Sequence, residues 1–373
     1  MTASEYPQSL FLPRSALQQV IELLQARGFR CVGPQVRGGA IVYDTIGDCR
    51  QLPAGVEDRQ SPGAYRLQDT GTPRWFAWAN GPQALKPLTF VPRETLWRAR
   101  RDDQGTLHFE SPGLDEAPLA VIGVRACDLA ALRLQEQHFM AGEVAAPNFA
   151  ARRQRLFLVA VHCTHPADTC FCASTGDGPH AEAGYDLALH ELDDGFLVEA
   201  GTEAGTALLE ELPLQPVPDG AQEKADEEID QAARSQQRGL PSHDLRGLLF
   251  GNLEHPRWEA VAERCLSCGN CTAVCPTCFC HAESDHPTLA GDVTEHVRAW
   301  DSCFTAGHSY LAGFVLREDT RKRYRQWLTH KLGGWHDQYG RSGCVGCGRC
   351  VTWCPVGIDL TEEVAALQED GHD

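Results

Sequence analysis

The chain has 373 residues, 42% of them apolar, with 33 Lys and Arg against 51 Asp and Glu, for a formal net charge of −18. That length can hold two domains with cores of their own, and so acidic a surface repels nucleic acid and favours solubility or docking to basic partner faces. The longest continuous apolar run, Leu156 to Val161, is far too short to span a bilayer, and Glu5, Pro7 and Pro13 stand where a signal peptide would carry a basic segment and an apolar core.

In chain order, Ser15 to Arg27 places Leu17, Val20, Ile21 and Leu24 at helical spacing, and Gly28 supplies a stop. Ala40 to Tyr43 reads as a short strand. Pro118 to Val124 is an apolar strand, Asp128 can cap a helix through Leu129, Leu132, Leu134 and His138, and a second apolar strand follows at Leu156 to Val161. Strand, helix, strand at this spacing is a βαβ unit, so the N-terminal part is expected to be α/β. It contains no G-x-G-x-x-G and no Walker lysine loop, which argues against the usual dinucleotide and nucleotide sites. Acidic residues crowd between Glu203 and Asp230 and read as a solvated linker or exposed helix. The boundary falls after this stretch, giving an α/β domain over 1–245 and a second domain over 246–373. Within the second, the insert 277–343 reads as helical over Val293 to Ala299, Ser309 to Leu316 and Lys322 to Leu332, and a last helix starts near Asp359 with Glu362 as capping partner.

The second domain carries the chemistry. Cys265, Cys268, Cys271 and Cys275, followed by Pro276, repeat as Cys344, Cys347, Cys350 and Cys354, followed by Pro355. Each quartet reads C-x2-C-x2-C-x3-C-P, the thiolate spacing of bacterial two-cluster ferredoxins, in which the fourth cysteine serves the other cluster. By that rule Cys265, Cys268, Cys271 and Cys354 share one 4Fe–4S cluster, and Cys344, Cys347, Cys350 and Cys275 share the second. Gly269, Gly346 and Gly348 lie inside the loops, where lacking a Cβ lets backbone fold closely around an inorganic core. Zinc also takes four thiolates, but zinc ribbons rarely join three close cysteines to a distant C-P. Cluster loops among helices point to a mainly helical ferredoxin architecture, and hence to an α+β fold class overall.

With CLSCGNCTAVCPTCFC at Cys265 to Cys280, SGCVGCGRCVTWCPVGID at Ser342 to Asp359, DSC at Asp301 to Cys303, and the upstream GVRACD and TCFC, the chain resembles the iron–sulfur β subunits of cytoplasmic nickel–iron (sulf)hydrogenases, a family that includes the A subunit of anaerobic sulfite reductase. The resemblance runs from the first helix to the last. It implies two 4Fe–4S clusters, and a non-catalytic subunit relaying single electrons between a flavin-containing, diaphorase-type subunit that handles NAD(P)H and a catalytic hydrogenase or sulfite reductase subunit. One departure is Ala126, where the family pattern GVRPCD has proline. A different class of function is a self-contained reductase with a flavin or small substrate on the N-terminal domain, and a third is a redox-sensing or assembly factor with exposed, labile clusters.

Eight ligands of seventeen cysteines leave nine. So many cysteines without an export signal argue for metal ligation in a reducing compartment, the cytoplasm, rather than for disulfides. Cys31 and Cys49 read as small buried side chains. Cys127, Cys163, Cys170 and Cys172 follow strand ends that open onto one sheet edge, so they either pack that edge as reduced thiols or hold a third cluster or structural metal. Cys278, Cys280 and Cys303 read as packing beside a cluster. Arg317, Arg321, Lys322, Arg323 and Arg325, with Tyr324 and Trp327 interleaved, form a basic run that could offset cluster charge, dock an acidic partner or face solvent. The histidines, His330 and His336 among them, match no H-E-x-x-H pattern.

Overall fold

In the strands Leu119–Val124 and Leu156–Val161 every residue is buried, so both faces of the sheet they form must be covered. The computed structural model describes residues 10–113, 117–143, 145–241 and 244–369; Glu5 and Pro7 lie outside them. The two strands are parallel neighbours in a seven-stranded sheet. Its spatial order is Leu10–Pro13, Gly195–Ala200, Leu187–Glu191, Leu156–Val161, Leu119–Val124, Arg30–Arg37 and Ala40–Thr45. The inner four strands are parallel, and those outside them pair antiparallel. Side chains alternate as the pleat requires. Ala120, Ile122, Phe157 and Val159 meet Leu17, Val20, Ile21 and Leu24 of the helix Leu17–Ala26. Leu119, Val121, Leu158 and Ala160 meet Leu129, Leu132, Phe139 and Phe149 on the opposite face.

The helices Ala126–Met140 and Pro147–Gln154 make the expected βαβ crossover. Asp128 does not cap the first of them. Arg125 occupies the cap, and Asp128 lies one turn inside, where a carboxylate favours the helix N-terminus. Ala126 is the first helical residue, a position proline suits but does not require, so the departure from the family pattern leaves the helix start intact.

Two parts of the segment expected to be helical are not. Val293–Trp300 is a strand between His281–Pro287 and Arg93–Arg101, and Leu107–Glu110 completes this antiparallel four-stranded sheet. Val293 and Val297 are four apart, which suits a helix face, but pairing with a remote strand overrides that local pattern. His296 stacks on Trp97 at 4.6 Å and Arg298 binds Glu94, contacts that a strand alone provides here. The sheet takes two strands from each side of residue 246. Ser309 to Leu316 is a tight hairpin, Tyr310–Leu311 with Phe314–Val315, turning at Ala312 and Gly313 with φ of 48° and 101°. Lys322 to Leu332 is helical as expected, running as Thr320–Thr329 and then a π-turn over His330–Gly334. The last helix is Leu360–Glu369, preceded by Asp359, whose carboxylate accepts from the Thr361 N–H at 2.9 Å. These helices share a core of Leu249, Trp258, Val261, Trp327, Leu328 and Val364, against which five of the quartet cysteines pack.

Candidate metal centre

The helix Arg257–Arg264 delivers the chain into the first cysteine loop. Cys265, Cys268 and Cys271 line an apolar pocket of about 460 Å³, and Cys354 from the second quartet lines the same pocket. Its walls include Phe304, Tyr324, Trp327 and Ile358. Burial pushes the Cys265 and Cys271 thiols up, and each also feels the charge of Cys354 and Cys268. Ser267 takes a left-handed φ of 50°, which costs an L-residue roughly 1–2 kcal/mol, and its N–H reaches the Cys265 sulfur at 3.4 Å. The Ile358 N–H donates to the Cys354 sulfur at 3.3 Å. Cys268 is exposed, so this pocket opens to the surface.

Cys344, Cys347 and Cys350 form the second group, and each feels the charge of Cys275. Cys350 also feels Cys271, which sets the two groups side by side. The Gly346 N–H donates to the Cys344 sulfur at 3.4 Å. The Cys275 thiol is pulled well below its ordinary value, first by a hydrogen bond from Cys278 and then, against burial, by Lys331, Thr277 and Lys86. Both lysines are buried. Lys331 Nζ donates to Thr277 Oγ1 at 2.8 Å, and Lys86 Nζ donates to the carbonyls of Thr272, Ala273 and Cys275 at 3.1–3.3 Å while lying 3.9 Å over Trp300. Among the described residues neither lysine has a carboxylate partner. Buried cations, N–H donors to sulfur and four thiols per group suit an anionic cluster, whose potential is set by such contacts. Zinc would need its thiolates gathered about 2.3 Å from one point. Among the described residues no group of three or more His, Cys, Asp or Glu is arranged to hold a single ion.

The N-terminal body positions the second loop. Arg349, between Cys347 and Cys350, makes a bidentate pair with Asp128 at 2.8 and 2.9 Å and donates to the Gly81 carbonyl. Thr352 donates to Gln60 at 2.7 Å, and Tyr65 stacks on Trp353 at 5.1 Å. The loop glycines serve this packing rather than a metal core alone. A Cβ on Gly346 would stand 2.5 Å from the Phe171 and Cys172 backbone, and one on Gly348 would stand 2.5 Å from the Thr169 carbonyl.

Residues 264–358 match the 4Fe-4S dicluster domain family. Over 292 residues, 76% of this chain and 83% of the relative, the sequence is 30% identical to the sulfhydrogenase 2 subunit beta of Pyrococcus furiosus. The chain belongs to this family of iron–sulfur β subunits. It carries two 4Fe–4S clusters and has an electron-transfer role. Among the described residues no helix is long and apolar enough to cross a membrane.

Beyond the two quartets, this β-subunit homologue keeps all its cysteines as free thiols. Cys127, Cys163, Cys170 and Cys172 line one cavity of about 300 Å³, with Cys347 also on its wall. Cys278 hydrogen-bonds to Cys275, and Cys303 feels Cys280, which lies beside His308. Cys31 is buried in the sheet core, and Cys49 starts a short 3-10 turn, away from both pockets. Among the described residues most of the basic run is paired: Arg321 and Arg325 with Glu254, Lys322 with Glu318 and Asp319, while Arg323 donates to carbonyls. Its aromatics turn inward onto the first pocket. The acidic stretch is largely the helix Ala221–Arg234, exposed except for Glu228 and a few small contacts. Sequence reasoning missed Lys86, Lys331 and the Asp128–Arg349 pair. A lone lysine in an apolar stretch, as in ALKPLTF and THKLGGW, was the one available signal.

Proposed function

We propose that this chain is the relay subunit of a multisubunit oxidoreductase, taking electrons between a flavin-containing subunit that handles NAD(P)H and a catalytic subunit of the hydrogenase or sulfite reductase type. The observation that carries the reading is the pair of adjacent cysteine groups, one opening at the surface through exposed Cys268 and the other enclosed, with buried Cys347. We assign Cys265, Cys268, Cys271 and Cys354 to one cluster and Cys344, Cys347, Cys350 and Cys275 to the other. Bound there, the clusters supply reversible one-electron chemistry. Lys86 and Lys331 stabilise the negative charge, the N–H donors to sulfur tune it, and Tyr324, Trp327 and Phe304 keep water from the first group. Exposed Leu266 and Val356 rim the first pocket and make an apolar landing for a partner. Residues 1–245 serve as the scaffold and 246–373 as the cluster carrier, joined through the shared four-stranded sheet. Seventeen free cysteines favour a reducing compartment, the cytoplasm.

The test is EPR of the dithionite-reduced, anaerobically purified protein, with iron and sulfide counts, for wild type, Cys268→Ser and Cys275→Ser. At least eight irons and spin-coupled signals are expected in the wild type, with each variant altering a different component. Bound flavin with NAD(P)H turnover by the isolated chain would overturn the relay reading, as would unaltered signals in both variants.

A further inference from the structure

Four cysteines outside the ferredoxin motifs come together at the carboxyl edge of the parallel sheet. Cys127 follows the strand ending at Val124, Cys163 follows the strand ending at Val161, and Cys170 and Cys172 lie in the loop after it. All four are buried and line the cavity of about 300 Å³ on which Cys347 also borders. Cys170 feels the charge of Cys172, Cys163 and Cys347, and Cys127 that of Cys347 and Cys172. Two amides already address the sulfurs: Gln236 Nε2 donates to Cys172 at 3.4 Å, and Asn80 Nδ2 lies 3.8 Å from Cys170.

A second, independent feature is Arg125, which lines the same cavity and is 1% exposed. Its guanidinium donates to the carbonyls of Ala79, Val161, His162, Phe76 and Trp78 and lies 4.2 Å over the Trp78 ring. Among the described residues no carboxylate pairs with it. The buried carboxylates near the loop are engaged elsewhere, Asp128 by Arg349 and Asp58 by Gln60, His165 and the Ala79 N–H. An uncompensated buried charge is strongly unfavourable, so an anion is missing from this cavity's charge balance.

We propose that Cys127, Cys163, Cys170 and Cys172 hold a third 4Fe–4S cluster, with Arg125 as its buried counter-cation. On binding, each thiol gives its proton to solvent as its sulfur bonds iron, leaving an oxidised site of about −2 overall. One electron from the adjacent group, where Cys347 forms the shared wall, reduces it, and the same electron leaves on reoxidation with no atom transferred. The site borders the second group through Cys347, whereas the surface pocket borders it through Cys350, so a third cluster here would extend the relay, and the proposal rests on the relay reading above.

The experiment is iron and acid-labile sulfide per chain, with Mössbauer and EPR spectra, on full-length protein purified anaerobically and reconstituted with ferrous iron and sulfide. Wild type is expected to hold about twelve irons and Cys163→Ala/Cys170→Ala about eight, with the dicluster signals retained in the double variant. Cys268→Ser, by contrast, disturbs the dicluster signals and leaves the third, so loss of the relay reading is distinguishable from loss of this one. About eight irons in wild type, an unchanged count in the double variant, or stoichiometric zinc released by that variant would each overturn the proposal. Should the double variant fail to fold, the wild-type count and the single Cys170→Ser variant decide it.

Discussion

Replacing Asp128 with Asn should loosen the second cysteine loop without touching a sulfur. Asp128 and Arg349 are each 1% exposed and joined by two hydrogen bonds, so the substitution leaves a guanidinium buried without its counter-charge. Breaking one partner of such a pair costs about 3–5 kcal/mol, whereas replacing both with apolar side chains of similar volume is often neutral. Unfolding carries roughly 2.1 cal/mol/K per residue, so for a chain of this length melting as one unit that cost lowers Tm by about 4–6 °C. Asp128→Asn and Arg349→Met should each show this drop, and the double variant Asp128→Leu/Arg349→Met should recover most of it. Anaerobic calorimetry gives Tm, and visible absorbance followed along the same scan reports whether the second cluster is lost first. If the double variant melts at the sum of the two single losses, the pair is not coupled and the loop is held by other contacts.

Lys331→Met removes a buried charge beside Cys275 and Cys344 and should lower the midpoint potential of the second cluster by on the order of 60 mV, a tenfold shift for one electron, in a dithionite titration followed by EPR; an unchanged midpoint would show that the ammonium does not reach the cluster's field. Gly348→Ala forces a Cβ to within 2.5 Å of the Thr169 carbonyl at a φ of 71° and should abolish loading of the second cluster. Gly340→Ala, with the same φ and open space, should lose only about 1 kcal/mol and keep its iron. Glu228 accepts from Arg74 and His190, and against its burial those partners bring its carboxyl from 4.5 down to about 2. A depressed folded value stabilises above the unfolded value and fades as pH falls through the folded one. The Tm gap between wild type and Glu228→Gln should therefore be full above about 4.5 and narrow toward about 2; a gap that stays constant would place the effect in packing instead.

How much of this was legible in the sequence depends on how local each determinant is. The cysteine quartets were readable because three of every four sulfurs sit on one short loop. Leu156 to Val161 was readable because an unbroken apolar run of that length can only be a doubly covered strand or a buried helix segment, and the strand–helix–strand spacing that it completes chose the strand. Val293 to Trp300 was not, because its partner strand lies nearly two hundred residues earlier: Val293 pairs with Arg100. The basic run was ambiguous for a similar reason. Its neutralising partner Glu254 comes from a different helix connection, and Tyr324 and Trp327 show their role only once the pocket is formed. The loop glycines were flagged for close approach to a cluster, yet the backbone that Gly346 and Gly348 admit belongs to residues 169–172.

Charge ties these pieces together. A chain with 51 acidic side chains has no shortage of carboxylates, yet it does not spread them evenly over its buried cations. Six Lys or Arg side chains are buried among the described residues: Lys86, Arg125, Arg152, Arg298, Lys331 and Arg349. Arg152 and Arg298 share Glu94, and Arg349 has Asp128. The three without carboxylates all stand beside cysteines, Lys86 and Lys331 at Cys275 and Arg125 at the sheet-edge group. A buried cation is tolerated where an anion completes it. The cluster assigned above to Cys275, Cys344, Cys347 and Cys350 would account for two of the three, and the same logic applied to Arg125 calls for an anion held by Cys127, Cys163, Cys170 and Cys172.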